Sequence, residues 1–100
     1  MVNKQEQGFI DDLIEQLRPR YRGFQRNVDY SSRRIHGEID LLALKIEGHI
    51  DAYEVKTTIN PIRLKKARRQ LSRVKRCLPN IDSLYVYIGT TGEIIPYESL

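Results

Sequence analysis

The stretch from Gly37 to Lys56, GEIDLLALKIEGHIDAYEVK, decides the fold of this chain. It covers most of two apolar segments, Glu38–Ile46 and Ile50–Thr58. We interpret these segments as two strands joined by a tight turn at Gly48. Apolar side chains occupy consecutive positions, as in Leu41–Leu44. Strands of this kind are covered on both faces, so the stretch predicts the centre of a sheet with helices on either side.

The segments around this hairpin carry helix and strand patterns in turn. Apolar residues at helical spacing predict one helix over Val2–Arg18, ended by Pro19, and a second from Asn60-Pro61 to about Leu78. We expect further strands at Phe24–Tyr30 (with Phe24, Val28 and Tyr30 on one face) and Leu84–Ile88, an edge strand at Glu93–Tyr97, and a polar loop over Ser31–Gly37. The order α-β-β-β-α-β predicts an α/β fold in which helices flank a mixed central sheet.

The chain has 100 residues, which suits one domain of ordinary size, and it shows no linker-like stretch or repeat. We therefore expect a single domain over residues 1–100. No apolar run approaches the roughly 18 residues that a membrane span needs. Cys77 is the only cysteine, which excludes an intrachain disulfide and an all-cysteine zinc site. These features predict a cytoplasmic protein without a membrane partner.

Basic residues are concentrated in particular parts of the chain. The net charge is only +4, but seven Lys and Arg side chains lie between Lys65 and Arg76 with no acid among them. A solubilising helix face usually mixes both signs, whereas a stripe of one sign is typical of phosphate contacts. We therefore expect contacts with a nucleic-acid backbone, recognised by shape rather than by sequence. The candidate residues are Arg33, Arg34, Lys65, Lys66, Arg69, Gln70, Arg73 and Arg76.

Asp40, Glu54 and Lys56 are the residues of the hairpin that are best suited to chemistry. Glu54 and Lys56 lie two apart in one strand and therefore share a face, and in one of two registers Asp40 faces Glu54. Like charges opposite each other destabilise a sheet, so a fold retains such a pair when a cation lies between them. A hard divalent ion such as Mg²⁺ or Mn²⁺ fits this position. An ordinary solvated salt-bridge cluster is the alternative interpretation.

The length of the turn decides between the two registers. A two-residue turn at Gly48-His49 leaves the two acids on opposite faces. We favour a three-residue loop, Ile46–Gly48, with Gly48 in the left-handed conformation, because only this register brings the acids together. It predicts the pairs Leu44–Ile50, Leu42–Ala52 and Asp40–Glu54, and it makes Leu42, Leu44, Ile50 and Ala52 an apolar floor beneath the acids.

Glu6 lies in the middle of the apolar stripe of the first helix, between the directions of Phe9 and Ile10, at about 100° of rotation per residue. An inward glutamate needs a partner, and we expect Glu6 to pack over the sheet face that carries Asp40 and Glu54. The alternative is that Glu6 lies near the helix N-terminus, where the helix dipole favours a carboxylate, and reaches water there.

This ordered set of residues resembles the PD-(D/E)XK nuclease superfamily, in particular archaeal Holliday junction resolvase-like proteins. The resemblance rests on the inward Glu6, on Gly37–Leu42 and on Tyr53–Thr57, in that order along the chain, and it covers most of the chain. Ile39 stands where the name of the superfamily has proline. The resemblance implies a restriction-endonuclease-like core.

The resemblance also implies an Mg²⁺- or Mn²⁺-dependent DNA endonuclease that acts on branched or structured DNA. Asp40, Glu54 and the main-chain carbonyl of Val55 would hold the metal, with Glu6 as a direct or water-mediated ligand. The metal would lower the pKa of a bound water and neutralise charge in the transition state. Lys56 would orient that water and steady the developing negative charge.

Some assignments stay open at this stage. Gln70 lies at the edge of the inner stripe of the second helix, either near the scissile phosphate or as a boundary polar residue. Ser31 and Ser32 lie where related proteins tend to carry a serine, and neither can be assigned. We expect a homodimer, because symmetric cleavage of two strands needs two sites. The alternatives are a nicking or exonucleolytic DNase and a non-catalytic nucleic-acid-binding module.

Overall fold

The computed structural model describes residues 4–100, which form two α-helices and one five-stranded sheet. The elements are α1 (Lys4–Leu17), β1 (Gly23–Ser32), β2 (Ile35–Leu44), β3 (Ile50–Lys56), α2 (Pro61–Cys77), β4 (Ile81–Ile88) and β5 (Glu93–Pro96). The strands lie in the order β1-β2-β3-β4-β5, with β3 and β4 parallel and the other neighbours antiparallel. The predicted α/β class with a mixed sheet is therefore confirmed.

Helix-breaking and helix-capping residues explain where the helices begin and end. Asn60 caps α2, since its Oδ1 accepts a hydrogen bond from the N–H of Arg63 at 2.9 Å. Pro61 follows at the first helical position, where no N–H is needed. α1 ends at Leu17, shortly before Pro19. None of the helices within residues 4–100 is long and apolar enough to cross a bilayer.

The remaining predicted boundaries differ from the structure by a few residues. β3 ends at Lys56 rather than Thr58, and β4 begins at Ile81 rather than Leu84. The predicted start of the first helix at Val2 lies outside the described residues.

The two helices cover opposite faces of the sheet. α1 buries Ile10, Leu13 and Leu17 against a group formed by Leu41, Ala43, Tyr53, Val55 and Tyr87. α2 buries Ala67, Leu71 and Val74 against a group that includes Leu42, Ala52, Leu84, Val86 and Ile88. Within Leu41–Ala43 and Ala52–Tyr53, successive residues thus enter the α1 core and the α2 core in turn, as expected of strands that are covered on both faces.

The turn between β2 and β3 has the predicted register. Leu44 pairs with Ile50, and the intervening loop Ile46–Gly48 forms a short 3₁₀-like turn that is interrupted at Glu47. Gly48 is left-handed, with φ of 80°, as predicted. Glu47 is left-handed too, with φ of 68°, which its side chain gave no reason to expect.

The polar loop predicted over Ser31–Gly37 is wrong. β1 and β2 form a hairpin that still pairs Ser32 with Ile35, so that only Arg33 and Arg34 remain for the turn. Arg33 is left-handed there, with φ of 48°. Main-chain pairing between β2 and β3 stops before this segment, so the hairpin extends past β3 as a two-stranded ribbon. Its tip residues Ser31–Arg34 are polar and exposed, whereas Tyr30 and Ile35 pack against the α2 core.

β1 changes face along its length. Phe24 packs in the α1 core, whereas Val28 and Tyr30 pack in the α2 core, so the prediction that these three share a face is wrong. Asn27 lies between them with a left-handed φ of 51°, which turns the strand over. In the register of the hairpin Asn27 falls opposite Asp40.

Candidate active site

Glu6, Asp40 and Glu54 meet at the point where β2 and β3 stop pairing. Main-chain pairing ends at Leu41–Tyr53. Beyond it, Oδ2 of Asp40 accepts a hydrogen bond from the N–H of Val55 at 2.8 Å, in place of a main-chain carbonyl. The Asp40 carboxyl therefore occupies the gap that opens between the two strands.

Glu54 is a buried acid with one oxygen unsatisfied. It is 2% exposed. Burial raises its pKa well above the ordinary value, and the hydrogen bond with Asp40 and the charge of Asp40 raise it further, while the charge of Lys56 acts in the opposite direction. Its Oε2 has no hydrogen-bond partner in the described part of the chain. Such an atom is uncommon in a folded protein and calls for an explanation.

Glu6 reaches these acids from α1. Burial is the largest of the effects that raise its pKa. The charge of Asp40 and a hydrogen bond with Asp40 raise the pKa further. However, α1 packs on the face of Leu41 and Val55, opposite to the face on which Ala52 and α2 lie. The prediction that Glu6 packs over the acid-bearing face is therefore wrong, because the first turn of α1 reaches Asp40 past the open end of the β2–β3 pair.

The predicted apolar floor beneath the acids is formed only in part. Leu42 and Ala52 lie in the α2 core. Ile50 packs at the edge of the same core, and together with Leu44 it lines a cavity of about 400 Å³ beside His49, at the turn end of the β2–β3 pair. The four residues pair in the predicted register, but Asp40 and Glu54 lie beyond the last main-chain pair between β2 and β3.

Lys56 is held in place by α2. It ends β3, two residues after Glu54, and its Nζ donates a hydrogen bond to Oε1 of Gln70 at 3.0 Å. Gln70 is therefore more than a boundary polar residue, since it fixes the position of the lysine ammonium.

A cavity of about 230 Å³ opens beside the acids. It is lined by Glu6, Val55, Lys56, Thr57, Arg63 and Lys66. Arg63 is not among the residues predicted from the sequence, although Arg63, Lys66 and Gln70 have the spacing that places residues on one side of a helix. Glu6 is therefore the acid that lines this cavity, together with the cations of Lys56, Arg63 and Lys66, whereas Asp40 and Glu54 are not among its lining residues.

The residues proposed to contact nucleic acid lie on two exposed parts of the molecule. Arg33 and Arg34 form the tip of the β1–β2 ribbon, next to the exposed Ser31 and Ser32. On α2 the exposed residues are Lys65, Lys66, Arg69 and Arg76. Only Lys66 among these lines the cavity beside the acids.

Two arginines of α2 have contacts that the sequence did not suggest. Arg73 is half-buried near Tyr30. Burial raises the pKa of the Tyr30 phenol, and the charge of Arg73 acts in the opposite direction. Arg68 donates from Nη1 to the carbonyl of Leu100 at 3.1 Å and lies over the Tyr97 ring, 5.5 Å from its centroid. The basic stripe of α2 is thus partly structural.

Asp51 is a second buried acid, and its surroundings differ from those of Glu54. It is also 2% exposed and lies in the same strand. Its carboxylate accepts hydrogen bonds from the Tyr21 hydroxyl at 2.6 Å and the Ser83 N–H at 3.2 Å, and it pairs with Nζ of Lys45 at 3.0 Å. These donors make Asp51 a structural acid.

The side chains of the site supply some, but not all, of the ligands that a hard cation needs. Among residues 4–100, no three Asp, Glu, His or Cys side chains form a ready metal cage. Asp40 and Glu54 nevertheless supply adjacent carboxyl oxygens, one of them buried and unpartnered. Mg²⁺ typically binds one or two carboxylates and keeps several waters, so this pair is sufficient.

Gly89 determines how closely α1 approaches the sheet near the site. A Cβ atom at this position would lie 2.3 Å from the ring of Phe9, one turn of helix from Glu6. We expect Gly89→Ala to displace α1 and to lower the free energy of unfolding by about 1–3 kcal/mol, as in other overpacked cores. Thermal unfolding measures this effect.

The matched control for Gly89 is Gly8→Ala on the exposed side of α1. Nothing lies within 4 Å of a Cβ added there, so helix propensity predicts equal or higher stability. A Gly89→Ala protein as stable as the Gly8→Ala protein would contradict the proposed role of the close contact.

Comparison with known proteins identifies no family for this chain. No protein-family model matches it, and no curated protein matches it significantly.

Proposed function

We propose that this chain is an Mg²⁺- or Mn²⁺-dependent phosphodiesterase that cleaves DNA, preferably branched or structured DNA. The observation that carries the proposal is the unpartnered Oε2 of Glu54 beside the carboxyl of Asp40. Because the pKa of Glu54 is raised, ionisation of Glu54 at neutral pH lowers the stability of the metal-free protein. A divalent cation between the two acids offsets that cost.

A purely structural role for the cluster has less support. The fold satisfies a buried acid completely where structure alone is at stake, as the donors around Asp51 demonstrate. At Glu54 no comparable set of donors is present within residues 4–100, and the nearby Lys56 donates to Gln70. The arrangement therefore favours a site that is completed by a ligand.

The buried acids and the residues that line the neighbouring cavity divide the chemistry between them. A metal held by Asp40 and Glu54, with the Val55 carbonyl and Glu6 as further ligands, would supply an activated water and Lewis acidity. Lys56, fixed by Gln70, directs its positive charge at the phosphoryl oxygens on which negative charge develops. Arg63 and Lys66 on the wall formed by α2 bind the phosphate.

The fold and the charge distribution support DNA as the substrate. The order of elements is the one that the resemblance to PD-(D/E)XK nucleases implies, and it supports a restriction-endonuclease-like topology. The basic ribbon tip and the exposed cations of α2 provide phosphate contacts but no element that reads bases. We propose that two copies act together, because each chain contributes one site and a junction offers two symmetric strands.

A panel of end-labelled DNA substrates tests the proposal. Junction, flap, duplex and single-stranded DNA are incubated with the protein in Mg²⁺, in Mn²⁺ and in a chelator. Metal-dependent cleavage of the branched substrates is expected, with paired cuts if two copies act together. Products of nicking or of stepwise shortening indicate the related DNase activities, and binding without cleavage in either metal overturns the proposal in favour of a binding module.

A further inference from the structure

Two exposed isoleucines flank the start of α2, next to the candidate active site. Ile59 is 48% exposed and Ile62 is 81% exposed. Large apolar side chains at such exposure lower solubility, so an exposed pair beside a functional cavity indicates a contact surface. The other large apolar side chain with high exposure among the described residues is Ile46, 70% exposed, in the β2–β3 turn.

The surface around Ile62 is continuous with the active-site cavity. Ile62, Lys65, Lys66 and Arg69 line a cavity of about 300 Å³ on the outer side of α2. Lys66 also lines the cavity that contains Glu6 and Lys56. A ligand that leaves the acids along α2 therefore meets Ile62 next.

The lining of this second cavity combines one apolar side chain, Ile62, with three cations. Lys65, Lys66 and Arg69 attract phosphate, but a stacked duplex offers Ile62 only small apolar groups such as the thymine methyl and the sugar edges. A nucleotide whose base has left the stack offers both a phosphate and an apolar base face, and apolar side chains commonly wedge against such bases.

We propose that Ile62 packs against an unstacked nucleobase beside the phosphodiester that occupies the candidate active site. This inference rests on the proposed function and specifies its substrate as DNA with an unpaired or unstacked nucleotide at the cleavage position. The cations around Ile62 bind the phosphates on either side of that nucleotide.

The test compares Ile62→Ser with Ile46→Ser, a matched loss of an exposed isoleucine at the distant turn. Cleavage is measured on a continuous duplex and on the same duplex with one unpaired nucleotide. Ile62→Ser is expected to lower the preference for the unpaired substrate by about tenfold, the scale of one base contact, and Ile46→Ser to leave it unchanged. Ile62→Leu should retain the preference, since it keeps the apolar surface.

Binding without metal separates failure of this inference from failure of the proposed function. A 2-aminopurine base at the unpaired position reports its environment by fluorescence in a chelator. A change in fluorescence that Ile62→Ser removes and Ile46→Ser retains supports the base contact even if no DNA is cleaved. An equal response of both variants and the unmodified protein, or an unchanged cleavage preference in Ile62→Ser, overturns the inference.

Discussion

Asp40→Asn and Lys56→Ala are each expected to lower the rate of Mg²⁺-dependent DNA cleavage by about 100- to 1,000-fold. Under the proposed function, Asp40 would supply an oxygen ligand from the gap between β2 and β3, and Lys56, held by Gln70, would supply a positive charge beside it. Removal of a single preorganised electrostatic group from an active site typically costs this much. Single-turnover cleavage of a labelled branched substrate measures the effect.

DNA affinity distinguishes loss of chemistry from loss of fold in these variants. Binding in a chelator should change little, because the exposed cations of α2 and the ribbon tip are untouched. Glu47→Gln, an exposed acid in the β2–β3 turn, is the control and should cleave normally. Cleavage by the Asp40 variant at the unmodified rate would exclude Asp40 from the active site.

Glu54→Gln is expected to stabilise the metal-free protein at pH 7 by about 1–2 kcal/mol, the scale of an unsatisfied buried polar group. The native pKa of Glu54 is raised, so the folded chain retains a proton that the unfolded chain loses above about pH 4.5. The stability of the unmodified protein therefore falls as pH rises from 4.5 towards the raised pKa. The difference in the free energy of unfolding between the two proteins should increase over this pH range and vanish below it.

Thermal unfolding in a chelator between pH 4 and 8 measures this difference, which corresponds to roughly 5–15 °C in melting temperature. Asp51→Asn is the opposite case and should lower stability, because its carboxylate accepts hydrogen bonds from Tyr21 and Ser83. A Glu54→Gln protein less stable than the unmodified one at pH 7 would show that Glu54 is a satisfied structural acid.

Local patterns were sufficient to predict most of the fold. Helical spacing and the Asn60-Pro61 start located α2, and the parity of the Ile46–Gly48 loop predicted the pairing of Leu44 with Ile50. These features depend on neighbours in the chain. The hairpin around Arg33 could not be predicted in this way, because the four polar residues Ser31–Arg34 interrupt the apolar alternation that identifies a strand.

Other features depend on tertiary packing and carry no local pattern. The left-handed Asn27 reverses the faces of β1, yet asparagine occurs in many regular strands and turns. Asp51 and Glu54 are buried acids three residues apart, and only their tertiary partners distinguish the structural acid from the unsatisfied one. The side from which Glu6 approaches could not be predicted either, because helix periodicity does not say which sheet face the helix covers.

Titration calorimetry of Mn²⁺ into the metal-free protein at neutral pH tests the central claim most directly. We expect saturable binding of roughly one ion per chain, with proton release, because ligand carboxyls whose pKa values are raised lose protons when a cation binds. Asp40→Asn and Glu54→Gln should abolish this binding, and Glu47→Gln should retain it. Absence of saturable binding in the unmodified protein, or binding that survives both substitutions, would contradict the account.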